Sequence, residues 1–292
     1  PLCVGTVMGG AMFGDNLSFI SDTTIAACQG QGCAMKDKFR ENFKIALPAA
    51  LASLVIILVL SFNANITGAV IHEYELIELI PYLIVLAGGI IGINVFIVLL
   101  LGILSGAIIM VATGATAATD LLTSMGTGAA GMFETTMVAI LVSAICALIR
   151  EYGGFVWLLN AIKNTFKNRK GGQLGMGILV GCMDIATANN TVAIVMANPI
   201  AADMAKTYNI SRRKTASILD TFSCVFQGII PYGAQMLIAI ATTASAGYAI
   251  TAFQIIPCLF YPFMLLISSL VFIFLIPDHR EYDGDDAEAI EA

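Results

Sequence analysis

Four aspartates stand inside otherwise apolar stretches of this chain: Asp15, Asp22, Asp184 and Asp220. Each has hydroxyl or amide neighbours in sequence. Ser18, Ser21 and Thr23 surround the first two, Thr187, Asn189, Asn190 and Thr191 follow Asp184, and Ser223 follows Asp220. Carboxylates among hydroxyl, amide and carbonyl oxygens make a hard-oxygen cage suited to a small cation. Burial disfavours the charged form of a carboxyl group, so a proton and a metal cation can compete for one site. Deprotonation then admits the cation and protonation expels it. On this reading Asp15, Asp184 and Asp220 are the expected ligands of a transported cation. Ser18, Ser21, Asp22, Thr23, Thr187, Asn189, Asn190, Thr191 and Ser223 complete the expected ion or substrate site.

Other chemistries find little support. His72-Glu73 lacks the second histidine of a zinc-protease motif, and the glycine-rich patches at 126–131 and 171–177 do not match a phosphate loop. The aspartates do not stand in the signatures of an intramembrane protease. Of seven cysteines, Cys146, Cys182, Cys224 and Cys258 lie within apolar runs, and the close pair Cys28 and Cys33 has no partner set for a metal. No enzyme activity and no cofactor are expected, beyond a transported small cation and protons.

The elements that must position these residues are membrane helices. The 292 residues are 58% hydrophobic and 12% charged, with a mean hydropathy of +0.89, whereas soluble domains carry about 25% charged residues. Five acids (Glu281, Asp283, Asp285, Asp286, Glu288) crowd the C-terminus as a solvated tail. No basic, aromatic-rich surface points to nucleic acid. The chain opens at Pro1, already in an apolar stretch, and reads as the C-terminal part of a longer protein.

A spanning helix needs about 20 apolar residues. Residues 45–62 and 252–276 each supply one, and 135–162 another. As one helix, 79–111 would be about 50 Å long, so two helices turning near Gly92 are expected, 79–91 and 93–111. Basic segments at 36–44, 163–170 and 206–214 are assigned to the cytoplasm and the acidic 63–78 to the outside. Two basic segments on one side then bracket 173–203, whose apolar arms hold 11 and 13 residues, too few to cross. A re-entrant hairpin turning at 184–190 is expected, lining a wet or protein-buried cavity. Pro231, with Gly228 and Gly233 around it, predicts a broken helix over 215–247, and the first span is interrupted around 14–24. Asp15-x-x-Ser18 and Asp220-x-x-Ser223 precede these breaks, hinting at two structural repeats. The expected fold class is an all-α polytopic membrane protein of the inverted-repeat transporter kind. Residues 1–62 would end a first repeat, 63–276 form a second, and 277–292 the tail.

The run GGAMFGDNLSFISDTTIAA (9–27) resembles the signature of the NhaC family of sodium/proton antiporters, Gly-Asp-x-x-Ser-x-x-Ser-Asp-Thr-Thr. Gly14, Asp15, Ser18, Ser21, Asp22, Thr23 and Thr24 match, and Phe19 stands where proline is common. SRRKTASILDTFSCVFQGIIPYGAQM (211–236) resembles the family's second stretch at Arg213, Leu219, Asp220 and Pro231. It departs from it at Thr221, where an acid is usual, and at Tyr232-Gly233 in place of Trp-Asn. ANNTVAIVMANPIAADMA (188–205) resembles the hairpin of the wider ion-transporter superfamily. The resemblance implies a sodium/proton antiporter of a bacterial inner membrane with a cytoplasmic C-terminal tail, and an earlier hairpin of opposite orientation. The alternative is a cation-coupled carrier of a small organic anion or amino acid. The expected partners are the lipid bilayer and the small cation, with a homodimer as the open assembly and no nucleic acid.

Overall fold

The computed structural model describes residues 1–18, 21–63, 76–91, 93–131, 133–276 and 282. The acidic loop expected at 63–78 falls mostly outside these residues, as do Gly92, His72-Glu73 and all of the expected tail but Tyr282. The chain forms two compact units, residues 1–63 with 135–292, and residues 64–134.

In the first unit, α1 (Leu2–Asn16) and α2 (Asp22–Gln31) are separated by residues 17–21. Ser21 caps α2, its Oγ accepting from the Thr24 N–H, and Gly32 closes it in the left-handed conformation at φ 62°. The next helix, α3 (Met35–Asn63), is continuous through Pro48. The residues 36–44 expected as a cytoplasmic loop are therefore its first turns. One face of α3, with Lys38, Asn42, Ile45, Ala46, Ala49 and Ser53, is buried, while Leu51, Leu54, Val55 and Leu58 are exposed. Such an apolar outer face suits lipid and not water.

The second unit contains a 3-10 turn (Leu76–Leu79), α4 (Ile80–Ile91), α5 (Val95–Ala112) and α6 (Ala118–Gly131). The run 79–111 is thus two helices. The glycine-rich patch at 126–131 lies within α6. Asn94 caps α5 through the Phe96 N–H.

Back in the first unit, α7 (Phe133–Glu151) and α8 (Gly154–Thr165) occupy the stretch expected as one span over 135–162. Gly153, at φ 75°, breaks it, a conformation costly for any residue with a Cβ. Then come α9 (Arg169–Thr187) and α10 (Asn190–Thr207), a hairpin turning at Ala188-Asn189. At 1.5 Å per residue its arms are about 28 and 27 Å long, longer than the apolar runs suggested, because polar residues at 169–173 and 203–207 extend both helices. The broken helix is α11 (Arg212–Ile229) and α12 (Ala234–Ser245). It is followed by α13 (Ala252–Ile255), a 3-10 turn (Ile256–Cys258) and α14 (Phe260–Phe274), this last pair of segments bent by 52°. Among the described residues two segments are long and apolar enough to span a membrane, Met35–Phe62 and Arg212–Ser245, and the bent pair makes a third.

The helix α11 lies at the centre, packed by α9, α10, α2, α3, α14 and α1. Gly177 and Gly181 of α9 let it approach: a Cβ on either would fall within 2.6 Å of the Phe222 or 2.3 Å of the Phe226 ring. Small residues at i and i+4 opposite aromatic rings allow the close helix contact on which membrane packing depends.

Candidate functional site

Three interruptions of the helices meet around α11. The α1/α2 break faces the α9/α10 turn: the Asn190 amide donates to Asp15 Oδ2 at 3.4 Å and the Thr191 hydroxyl to Asp22 Oδ2 at 2.6 Å. From there α2 and α10 run side by side, tied by Asn198 Nδ2 to the Ala26 carbonyl (2.9 Å) and Gln31 Nε2 to Asn198 Oδ1 (2.9 Å). The α11/α12 break reaches the same turn. Gln227 Nε2 donates to the Ala188 carbonyl at 3.3 Å and the Tyr232 hydroxyl to the Ile185 carbonyl at 2.6 Å. Tyr232 thereby satisfies a carbonyl that the end of α9 leaves without a helix donor.

Several hydroxyls and amides expected in the site are used to shape these ends. Asn189 caps α10 through the Val192 N–H at 3.0 Å. Thr187 donates to the Met183 carbonyl at 2.9 Å, and Ser223 to the Asp220 carbonyl at 3.0 Å. Ser21 Oγ and Thr23 Oγ1 share a hydrogen bond at 2.9 Å, and the Ser18 carbonyl accepts from Thr24 Oγ1 at 3.1 Å.

The four aspartates differ in setting. Asp22 is exposed, Asp15 half-buried, and Asp184 and Asp220 are buried. Asp15 lies within electrostatic reach of Asp220, Asp22 and Lys38. The Asp-x-x-Ser echo is not equivalent in place. Asp15 is one residue from the end of α1, while Asp220 is nine residues from the end of α11 at Ile229. Among the described residues, three or more His, Cys, Asp or Glu do not gather as a metal-ligand group, so Asp15, Asp184 and Asp220 do not converge on one point.

Asp220 is paired inside the protein. The Lys38 ammonium, fully buried, donates to Asp220 Oδ2 at 2.5 Å, to Thr24 Oγ1 at 2.7 Å and to the Asn16 carbonyl at 3.5 Å, one acceptor for each of its protons. Asn42 Nδ2 also reaches Asp220 Oδ2, at 3.1 Å, and the Asn16 carbonyl, at 2.6 Å, while Asn42 Oδ1 accepts from Ser217 (2.9 Å) and Thr221 (2.7 Å). Thr221, the departure from the family pattern, is thus part of this network. About six residues nearer the start of α11, Lys214 faces Glu41 at 3.6 Å.

Asp184 is the opposite case. It sits in the last turn of α9, wholly buried, and neither carboxylate oxygen has a hydrogen-bond partner. The backbone of Gln227 approaches it without reaching hydrogen-bonding geometry. Gln227 Oε1 is also buried and without a partner.

Sequence reasoning missed Lys38, Asn42, Asn16 and Gln227. The signal for the first two was present in the spacing 38, 42, 45, 49, 53, which carries the buried stripe of α3 back into its charged turns. A cavity of about 940 Å³ lined by residues of the second unit, among them Val85, Leu99, Ile103 and Met110, includes none of the four aspartates.

An all-helical array among the described residues, with exposed apolar helix faces and with Asp15, Asp22 and Asp184 at or beside its helix interruptions, is the construction of a membrane transport protein. The chain belongs to the Na+/H+ antiporter family, whose sequence model matches residues 63–276. That is a family of transporters, and the match includes Asp184, Gln227 and Asp220, while the 9–27 stretch with Asp15 and Asp22 lies outside it. No curated protein and no solved structure matches the chain.

Proposed function

We propose that this protein is a sodium/proton antiporter of the NhaC kind in a bacterial inner membrane, working by alternating access. The observation that carries this reading is the lone carboxylate of Asp184 at the hairpin turn. A buried carboxylate without a counter-charge must acquire a proton or a cation, and exchange of one for the other is the antiport step. Asp15 and Asp22, across the same turn, form the polar entrance through which either ion arrives, with Asn190 and Thr191 as their partners. The ends of α1 and α2 and the break at 230–233 are the hinges of an inverted-repeat architecture in which Asp184 is presented alternately to the two sides. Asp220 is held by Lys38 and stands outside the exchange.

A second reading, a cation-coupled carrier of a small organic anion or amino acid, draws on the adjacent N-termini of α2 and α10. Their partial positive charge would suit a carboxylate. Proteoliposomes separate the two. Antiport predicts that an inward sodium gradient drives proton efflux, lost in Asp184→Asn and reduced in Asp15→Asn. Accumulation of a labelled dicarboxylate or amino acid without a sodium-driven pH change would replace antiport with the carrier reading.

A further inference from the structure

We infer that Asp184 and Gln227 form the binding site for a dehydrated monovalent cation, and that Lys38, by occupying Asp220, keeps that second carboxylate out of it. The inference deepens the antiport reading and rests on it.

Four oxygens support the site. Both carboxylate oxygens of Asp184 are buried without partners, and so is Gln227 Oε1. The orientation of the Gln227 amide follows from chemistry, because its Nε2 donates to the Ala188 carbonyl and the remaining amide atom must be the acceptor. The fourth is the Gln227 main-chain carbonyl. Its helix donor would be the N–H of residue 231, and Pro231 has none. Gly233 leaves room there: a Cβ would lie 3.3 Å from the Gln227 carbonyl and 3.3 Å from its Nε2.

All four groups are acceptors, and buried acceptors without donors are rare in folded proteins. The position of Asp184 in the last turn of α9 adds the negative end of a helix dipole to its own charge. The surroundings therefore ask for a cation and supply no internal one. Neutral and anionic oxygens without thiol or imidazole suit a hard ion, and one formal negative charge suits a monovalent one. At Asp220 the charge is already met from within: the Lys38 ammonium and the Asn42 amide hold its Oδ2, and only its Oδ1 is buried without a partner.

Binding of radioactive sodium to the purified protein, with thermal unfolding in sodium chloride against choline chloride, tests this. The parent protein should bind sodium and unfold at a higher temperature in its presence. Asp184→Asn should lose both effects while unfolding, without sodium, no earlier than the parent, because it removes an unneutralised buried charge. Gln227→Leu should need about tenfold more sodium, as expected for loss of one contact to a charged group. Lys38→Met combined with Asp220→Asn should keep sodium binding. Binding that survives Asp184→Asn, or that disappears only with Lys38 and Asp220, overturns the assignment while leaving antiport standing. A parent protein that binds neither sodium, lithium nor potassium overturns both.

Discussion

Asp220 and Asp184 are buried to the same degree on neighbouring helices, yet Asp220 has one oxygen held by an ammonium and amides while neither oxygen of Asp184 has a hydrogen-bond partner. Lys38, Asn42 and Asn16 all reach Asp220 Oδ2. At Asp184 both carboxylate oxygens and the Gln227 Oε1 are left without a donor. In a low-dielectric interior a carboxylate can be neutralised from within or from outside, and these two take different routes. The contrast separates a carboxylate that fastens helices together from one left open to exchange. It also explains why α3, which supplies Lys38 and Asn42, is packed against α11, whereas the turn at Ala188-Asn189 meets two helix breaks.

The largest expected effect on stability comes from breaking the paired side. Lys38→Met strands Asp220, and removing one partner of a buried ion pair costs about 3–5 kcal/mol, read as an early thermal transition. The combined Lys38→Met, Asp220→Asn protein should recover most of that loss, since neither charge is then left alone. If the single change were as stable as the parent, the pair would not be the fastening described. A smaller effect is expected at the contact that brings α9 and its Asp184 against α11. Gly181→Ala places a Cβ 2.3 Å from the Phe226 ring, and overpacking of this kind costs about 1–3 kcal/mol. Flux should fall along with stability, because the hairpin is displaced from Gln227. The smallest effect is expected at Gly14, within the stretch that resembles the family signature but with open space around it. Gly14→Ala should stabilise α1 by up to about 1 kcal/mol, with transport retained.

Much of the fold could be read in the residues. Pro231 between glycines marked the α11/α12 break, and the polar run after Asp184 marked the hairpin turn. The length of 79–111 required two helices. What escaped has physical causes. Lys38 sits among Lys36, Arg40 and Lys44, and a basic stretch beside an apolar run reads as a membrane flank. Only the helical spacing that joins Lys38 to Asn42 and Ile45 marks one of the four cations as turning inward. The break at Gly153 was hidden because α7 and α8 together have the length of one span. Gln227 was overlooked because a lone amide in a helix gives no pattern. Its place depends on Pro231, four residues later, and on the approach of α9, which only packing supplies. The Asp-x-x-Ser echo shows the converse hazard, a sequence likeness whose two copies occupy different places relative to their breaks.

The central claim is that Asp184 exchanges ions and Asp220 does not. Sodium-driven proton flux in proteoliposomes, compared directly between Asp184→Asn and the combined Lys38→Met, Asp220→Asn protein, tests it most directly. The account predicts no sodium-dependent flux in the first and clear flux in the second. Flux that persists without the Asp184 carboxylate, or that ends when the Lys38–Asp220 pair is neutralised in a protein that still folds, would contradict it.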